Sequence, residues 1–482
     1  GSRNKLLYQE CRSNLSRLIL VKTKYFFLIL AAFISLQGCS RKEDNFAYWA
    51  KEVNVSITDN SLRAQVTTTF KESCSYMIRY WENARGERCA RTTSMQTGLK
   101  GENTCTLIFL YPETHYTFEI IVEDRAVSKR VEFLTGSLPA DVPSYSVDYS
   151  STDDEPLTGY LLQWNANKPG YVTFCDYDGK VVWYQSFGEG IRTAHYNPHT
   201  GKLAVMAGFK YGVNDRNFQR LVSEVFVCDL YGHTFFRRKA AEGFLPHLHH
   251  EFKTTDDGKM LFVSNFIKAF DLRSRGASTE STDVWGDGFY LCSEDGKVEK
   301  SWDCFGELDP IATDYLDPVK TATDYIHANS VEIDSNGDYY MTFNRISELW
   351  KIDGNTGDVL YRLGVHGNLS LDGDFPSGGL HAAVALAPDL IMCYANGRDK
   401  GYSEGVVYEI DPVAKTATYR TRIVLPAEYS SKDRSNMQKI GDDLYFMNST
   451  VCGKAIFVNG SGEIRRVISR SGISYRAYYF SM

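Results

Sequence analysis

The sequence holds no Cys-x-x-Cys pair, no excess of basic residues, few prolines and no apolar run long enough to cross a bilayer. Each absence removes a class of protein. Without Cys-x-x-Cys, a zinc knuckle is not expected. Lysine and arginine number 53 against 60 aspartates and glutamates, a net charge of −7, whereas a nucleic-acid binder shows a basic patch or a high pI. The apolar run YFFLILAAFISL, Tyr25 to Leu36, is shorter than the roughly 20 residues a spanning helix needs. A polytopic membrane protein is therefore excluded. No stretch keeps a 3.6-residue apolar period, which argues against a helical solenoid. What is present is 43% hydrophobic residues, 13% aromatics and 38 glycines against 13 prolines. That is the composition of a turn-rich, strand-rich globular chain.

The start of the chain has its own character. Arg3, Lys5, Arg12, Arg17, Lys22 and Lys24 stand against the single acid Glu10, and the apolar run follows directly. A basic flank before a short apolar core is the pattern of a signal peptide. The run ends in Leu36-Gln37-Gly38-Cys39, which resembles a bacterial lipobox, with Gln37 where a small residue is usual. The resemblance implies that residues 1–38 are a lipoprotein-type signal peptide, that Cys39 is the lipidation site, and that 39–45 form a solvated tether. The expected location is that of an exported, membrane-anchored lipoprotein. It would sit in the periplasm or at the outer-membrane surface of a Gram-negative bacterium. In an exported protein cysteines can oxidise. Cys74, Cys89 and Cys105 lie close enough in sequence for two of them to pair, whereas most of the others lie inside apolar strands.

Two regions follow. Between 46 and 142, the runs VNVSITD, RAQVTTTF, SYMIRYW, CTLIFL, HYTFEIIVED and KRVEFLTG alternate apolar with polar residues and are separated by turn residues. Such spacing predicts a small β-sandwich domain. LYPETHYTFEIIVED resembles the tyrosine-corner segment of fibronectin type III-like domains, with Tyr116 as the corner residue. From 143 to 482 a strand–turn–strand motif recurs six times: 174–188, 225–238, 291–306, 349–364, 407–420 and 456–468. Between the copies lies a second hairpin motif, as in HYNPHTGKLAVMAG, HEFKTTDDGKMLFVSN and NSVEIDSNGDYYMTFN. Two hairpins per unit make four strands, the signature of a propeller blade. The expected fold is all-β: a six-bladed β-propeller preceded by a small fibronectin type III-like β-sandwich domain.

In a propeller, functional residues should recur at one place in the repeat. His250, His327 and His381 each stand a few residues before the apolar anchor of a second-motif hairpin (Phe252, Val331 and Val384), so the repeat aims all three at one axial pocket. Three imidazoles suit zinc or copper, but no carboxylate accompanies His327 or His381 at close spacing, and Arg345 follows on the same repeat. Arginine beside a histidine cluster favours an oxyanion, so no metal is expected.

HANSVEID (327–334) followed by NRISELWKIDGNTGDVLYRLG (344–364) closely resembles the bacterial aryl-sulfate sulfotransferases. That family carries H-x-N-S, an arginine eighteen residues after the histidine, and a strand–turn–strand ending in Leu-Gly. LHHEF (248–252) is similar to its H-H-D segment, with Glu251 for Asp. LHAAVALAPDLIMCYANG (380–397) is similar to its Q-H-D-A segment, with Leu380 for Gln, Ala382 for Asp and Ala395 for Asp. The resemblance covers roughly residues 145–482. It implies ping-pong transfer of a sulfuryl group from an aryl sulfate donor to a phenol acceptor, through a sulfohistidine and without any cofactor. His381 corresponds to the nucleophile. His250 and His327 would donate protons or hydrogen bonds, and Arg345 and Asn329 would hold the sulfuryl group. His249 is the alternative to His250 within the pair. The absence of Asp after His381 leaves open what fixes its tautomer. Two other readings stand beside this one: a non-catalytic propeller lipoprotein binding glycans or protein partners, and a metal-dependent lyase or hydrolase. The membrane, through the lipid anchor, is a further expected partner; nucleic acid is not, and a homodimer is left open.

Overall fold

The computed structural model describes residues 42–208, 221–239, 244–375 and 378–481. The expected signal peptide and Cys39 lie outside these residues, as does the start of the tether. Among the described residues no helix is long and apolar enough to cross a membrane. The chain divides into two compact units. One holds the described residues up to Ser56, Gln65–Cys105 and His115–Leu134; the other holds Ile57–Ala64, Thr106–Thr114 and the chain from Thr135 onward.

The first unit is built on two antiparallel sheets. Ala50–Ile57, Ala64–Phe70 and Gly101–Leu107 form one, while Cys74–Glu82 pairs with His115–Val122 in the other. The alternation that marked these runs is realised as burial: Tyr76, Ile78 and Tyr80 face inward, each separated by a more exposed neighbour. Tyr116 is fully buried and stacks on Phe133 with centroids 5.4 Å apart. Cys74, Cys89 and Cys105 are all free thiols, so no two of them pair as the sequence allowed.

Six sheets of four or five strands make up the rest. Five have a first strand that begins an antiparallel meander. These are β1 (Ile191–Asn197), β2 (Leu248–Thr254), β3 (Ala328–Ile333), β4 (Leu380–Ala387) and β5 (Asn436–Lys439). The sixth sheet takes its corresponding strand, β6 (Tyr478–Phe480), from the end of the chain: β6 pairs antiparallel with Tyr160–Trp164. This accounts for a mismatch in the sequence, which shows six copies of one hairpin motif and five of the other. Tyr145–Ser150 is a second closure, pairing with Ile464–Arg470 in the last sheet.

Apolar side chains fill the spaces between successive sheets. Leu261, Val263 and Phe289 of one sheet pack with Val331, Met341 and Trp350 of the next. The cluster of Leu161, Cys175, Phe446 and Phe457 joins the last sheet to the first. The first strands also pack on one another, β1 on β2, β2 on β3, β3 on β4 and β4 on β5. Asn436 in β5 donates to the carbonyl of Ala477 beside β6 at 2.7 Å, and Tyr478 meets His195 of β1 at 5.4 Å. Turns between strands fall where glycine is needed: Gly179 and Gly357 have φ of 81° and 80°, a region that disfavours a Cβ.

Candidate active site

β2 reads LHHEFKT and is buried at every position despite its polar residues. Such a strand is stable only if its charges are paired, and they are. Arg476 ion-pairs with Glu251 and also donates to the carbonyl of Asn329 at 2.5 Å. Lys253 lies 2.9 Å from Glu332 of β3 and 3.8 Å from Glu251. Burial would raise the Glu251 carboxyl, but Arg476 and Lys253 outweigh it and hold it below its usual range.

Above this ionic floor, at the starts of the first strands, lies a cavity of about 540 Å³. His250, His327, His381 and Arg345 all line it. The rings of His250 and His327 are 5.0 Å apart, and Tyr475 stands 5.6 Å from His250 and 6.3 Å from His381. Asn329 does not line the cavity. It is fully buried, donating to the carbonyl of Leu380 at 2.6 Å and accepting from Thr342 at 2.8 Å and from the amide of Ala382 at 3.3 Å. It therefore ties β3 to the strand that carries His381. His249 is likewise fully buried behind His250, with the two Nδ1 atoms 2.6 Å apart. Its Nε2 lies 3.3 Å from Asp287, and across the short Nδ1 contact one ring donates and the other accepts, which locks the orientation of His250.

The three cavity histidines do not occupy one place in the repeat. The ladder makes Leu248, Ala328 and Leu380 equivalent, facing Ser264, Phe343 and Ala395. The same backbone bond precedes each: Asn265 N to His247 O, Asn344 N to His327 O, and Asn396 N to Gly379 O. His327 thus sits one before the reference position, His381 one after and His250 two after. They converge because each strand carries a bulge there, between Leu248 and Phe252, Ala328 and Ser330, and His381 and Val384. At each bulge one residue is left-handed: His250 at φ 55°, His327 at 60° and Ala382 at 58°. Bulges of this kind re-aim side chains next to functional sites, and non-glycine residues adopt such φ values at a cost.

Neighbouring groups fix the imidazoles. Asp324 accepts from Nδ1 of His327 at 2.8 Å and from Nη2 of Arg345 at 2.8 Å, while its carbonyl takes Nε of Arg345 at 2.9 Å. His381 is 3% exposed. Burial pushes it well below the usual histidine range, the hydrogen bond it donates to Asn396 opposes this, and Arg476, His327 and Arg398 add to the depression. It is a neutral imidazole at pH 7. Its tautomer follows from Asn396. The amide nitrogen of Asn396 is committed to two carbonyls, Ser431 at 2.8 Å and Arg434 at 3.0 Å, so its oxygen must face Nδ1 of His381, 2.6 Å away. Nδ1 therefore carries the proton and Nε2 the lone pair. Asn344, with its oxygen taken by Arg398 at 3.0 Å, turns its amide nitrogen toward the same Nδ1 at 3.3 Å; the much shorter bond to Asn396 sets the tautomer, and Asn344 makes no hydrogen bond to the protonated nitrogen.

The sequence reading missed Asp324, Asn344, Asn396, Tyr475, Arg192, Arg398 and Arg434. A signal for two of them existed: the second-motif hairpins end in the same residue type, Asn265, Asn344 and Asn396. Tyr325, close in sequence to His327, and Tyr394, on the strand paired with β4, are fully buried and do not line the cavity. Among the described residues no group of three histidine, cysteine or carboxylate side chains is placed to hold a metal ion.

A sequence model described as Arylsulfotransferase (ASST) matches residues 146–472. The chain belongs to that family. The match to the arylsulfotransferases reaches all six sheets but stops short of β6, and it takes in every residue lining the cavity except Tyr475. No curated protein matches. Among solved structures, a protein of unknown function from Bacteroides caccae is 10% identical, with 68% of this chain and all of that one covered at a TM-score of 0.43. The WD40 β-propeller domain of Doa1 is 11% identical, covering 67% and 96% at 0.33. The Cps50 (Swd1) β-propeller domain of Myceliophteria thermophila is 10% identical, covering 67% and 89% at 0.35.

Proposed function

We propose that this arylsulfotransferase moves a sulfuryl group from an aryl sulfate to a phenol in two steps through His381, with no nucleotide. The observation that carries this reading is the state of His381: neutral, with Nδ1 held by Asn396 and Nε2 left as the nucleophile. In the first step the Nε2 lone pair attacks sulfur, the S–O bond to the aryl group breaks, and the phenolate leaves with the bonding electrons. His327 gives a proton to that oxygen while Asp324 balances its charge; His250 stands on the other side of the leaving group. Arg345 holds the sulfuryl oxygens through charge-assisted bonds. In the second step a phenol oxygen attacks the sulfur of the sulfohistidine, its proton returns to the waiting imidazole, and the S–N bond breaks to restore His381.

The architecture that supports this is read as a six-bladed propeller from about residue 143. The fibronectin type III-like domain of 46–142 precedes it, and a lipid anchor on Cys39 would hold it in the periplasm or at the outer-membrane surface. The test is release of 4-nitrophenolate from 4-nitrophenyl sulfate. Release should rise with added phenol, survive EDTA, and fall by at least about 10³-fold in His381→Ala, since loss of a nucleophile removes a covalent step. Release abolished by EDTA would mean a metal-dependent reaction. No release from any aryl sulfate would leave a propeller that binds glycans or proteins.

A further inference from the structure

The cavity is unusually cationic for a site that takes a monoanionic ester. Among the described residues, four arginines line it against two aspartates, and Tyr475 is the single aromatic, with no aliphatic side chain present. A plain aryl ring gains affinity in proportion to the apolar area it covers, and little is on offer here. The charges are also not all consumed internally. Asp324 takes Arg345, and Asp433 takes Nε of Arg434 at 2.7 Å. Arg398 gives one bond to the amide oxygen of Asn344, and no carboxylate of the described residues pairs with it. Arg398 follows the end of the Leu390–Ala395 strand, and Arg434 lies two residues before β5; Asn396, whose oxygen holds His381, donates to the carbonyl of Arg434 at 3.0 Å. Both guanidinium groups line the same cavity as His381 and Arg345, with Arg398 bonded to Asn344, whose amide nitrogen stands 3.3 Å from Nδ1 of His381.

From this we infer that the donor is a dianion, an aryl sulfate whose ring carries a carboxylate that Arg398 holds, with Arg434 beside it, while Arg345 holds the sulfuryl group. A guanidinium and a carboxylate meet in a planar, bidentate pair that fixes orientation as well as adding affinity. Such a pair would align the S–O bond with Nε2 of His381. The inference rests on the transfer reading and names the substrate class that reading leaves open.

The test compares 4-sulfooxybenzoate with its methyl ester, with phenol as acceptor and products separated by chromatography. The two share a ring and differ by one charge. The ester is the more electron-withdrawing, so its phenolate is the better leaving group, and intrinsic reactivity favours it. We expect kcat/KM for the carboxylate donor to be at least tenfold higher, the difference residing in KM, and the ratio to collapse toward one in Arg398→Gln. A wild-type ratio at or below one would overturn the inference, as would a ratio that Arg398→Gln leaves intact. If neither compound turns over, the transfer reading fails by itself, and calorimetric binding of the same two compounds decides. Tighter binding of the carboxylate that is lost in Arg398→Gln would uphold the dianion site, and equal or absent binding would overturn it.

Discussion

The starts and the ends of the same inner strands each line a cavity. The one at the ends is the larger, about 690 Å³ against 540 Å³, and is lined by His195, His199, Lys253, Asp256 and Glu332 among others. It too holds two histidines and two lysines, yet nothing there is arranged to act in concert. In the three strands β1, β2 and β3 that line it the ladder is in register at that end: Asn197 faces Lys202, Thr254 faces Met260, and Ile333 faces Tyr339. Side chains leave a regular strand alternately, so neighbouring strands present unlike residues at one level. At the other end, bulges and left-handed residues turn three imidazoles toward one space. Below the histidines runs the ionic network of Glu251, Arg476, Lys253 and Glu332, whose Lys253 and Glu332 reach the larger cavity. Volume does not mark the site; irregular backbone that imposes convergence does.

The comparison breaks most readily at Asp324. Asn in its place can still accept from His327 but cannot balance an imidazolium or the guanidinium of Arg345. Asp324→Asn should lower kcat/KM by about 10²-fold, the low end of what a positioned acid–base group contributes. Its urea midpoint should barely move, because ion pairs this exposed contribute about 1 kcal/mol or less. His199→Ala, in the larger cavity, should stay within about twofold of wild type, as surface substitutions do. Equal losses in the two variants would mean that the wider end also takes part in turnover.

A smaller effect is expected at Asn396, which orients His381 without meeting substrate. Asn396→Ala should lower kcat about tenfold, the factor that one hydrogen bond of about 1.4 kcal/mol sets, with KM little changed. Asn396→Asp keeps an oxygen acceptor at Nδ1 and should recover most of the rate while shifting the pH profile, since a carboxylate would hold His381 protonated to higher pH. A purely structural role for Asn396 would lower stability and rate together in both variants.

How much of this was legible beforehand follows from the same physics. The hairpins were readable because turn glycines and apolar alternation are local signals: 349–364 and 456–468 became the paired strands Glu348–Ile352 with Val359–Leu363 and Lys454–Asn459 with Ile464–Arg470. The closure by β6 and Tyr145–Ser150 was not, because pairing across more than 300 residues leaves no local pattern. His250, His327, His381 and Arg345 were found by type and spacing, although the assumed equivalence of the histidines was not what brought them together. The bulges differ in size and position, with two extra residues between Leu248 and Phe252 but one in each of the other two strands, and a bulge has no signature in an otherwise apolar strand. Asn329 was assigned to the sulfuryl group by the resemblance of His327-x-Asn329-Ser330 to the family motif. A regular strand would put Asn329 on the face of His327, but the bulge between Ala328 and Ser330 turns it aside and it bonds β4 instead. Arg398 and Arg434 lie outside any repeat motif, on loops that only the assembled ring brings to His381.

The least effect on rate, and a clear one on stability, is expected at His195 in the larger cavity. Its ring meets Tyr478, and its Nδ1 is buried without a hydrogen-bond partner among the described residues. Burial pushes it down to about 3 from 6.5; Lys253 and Arg476 add to the depression, and Glu251 opposes it. Folded, the ring is therefore neutral at pH 5, whereas unfolded it binds a proton below 6.5. Between those values the unfolded chain holds more protons, so stability is full above pH 6.5 and is lost as pH falls toward 3, at about 1.4 kcal/mol per pH unit. His195→Leu removes this term. Urea unfolding at pH 7 and pH 5 should show wild type losing about 2 kcal/mol more than the variant across that interval, with kcat at pH 7 unchanged within about twofold. His381 imposes a slope of the same sign in both proteins, so it cancels in the difference. Equal losses in the two proteins would place His195 in contact with water, and a fall in kcat would tie the larger cavity to the reaction after all.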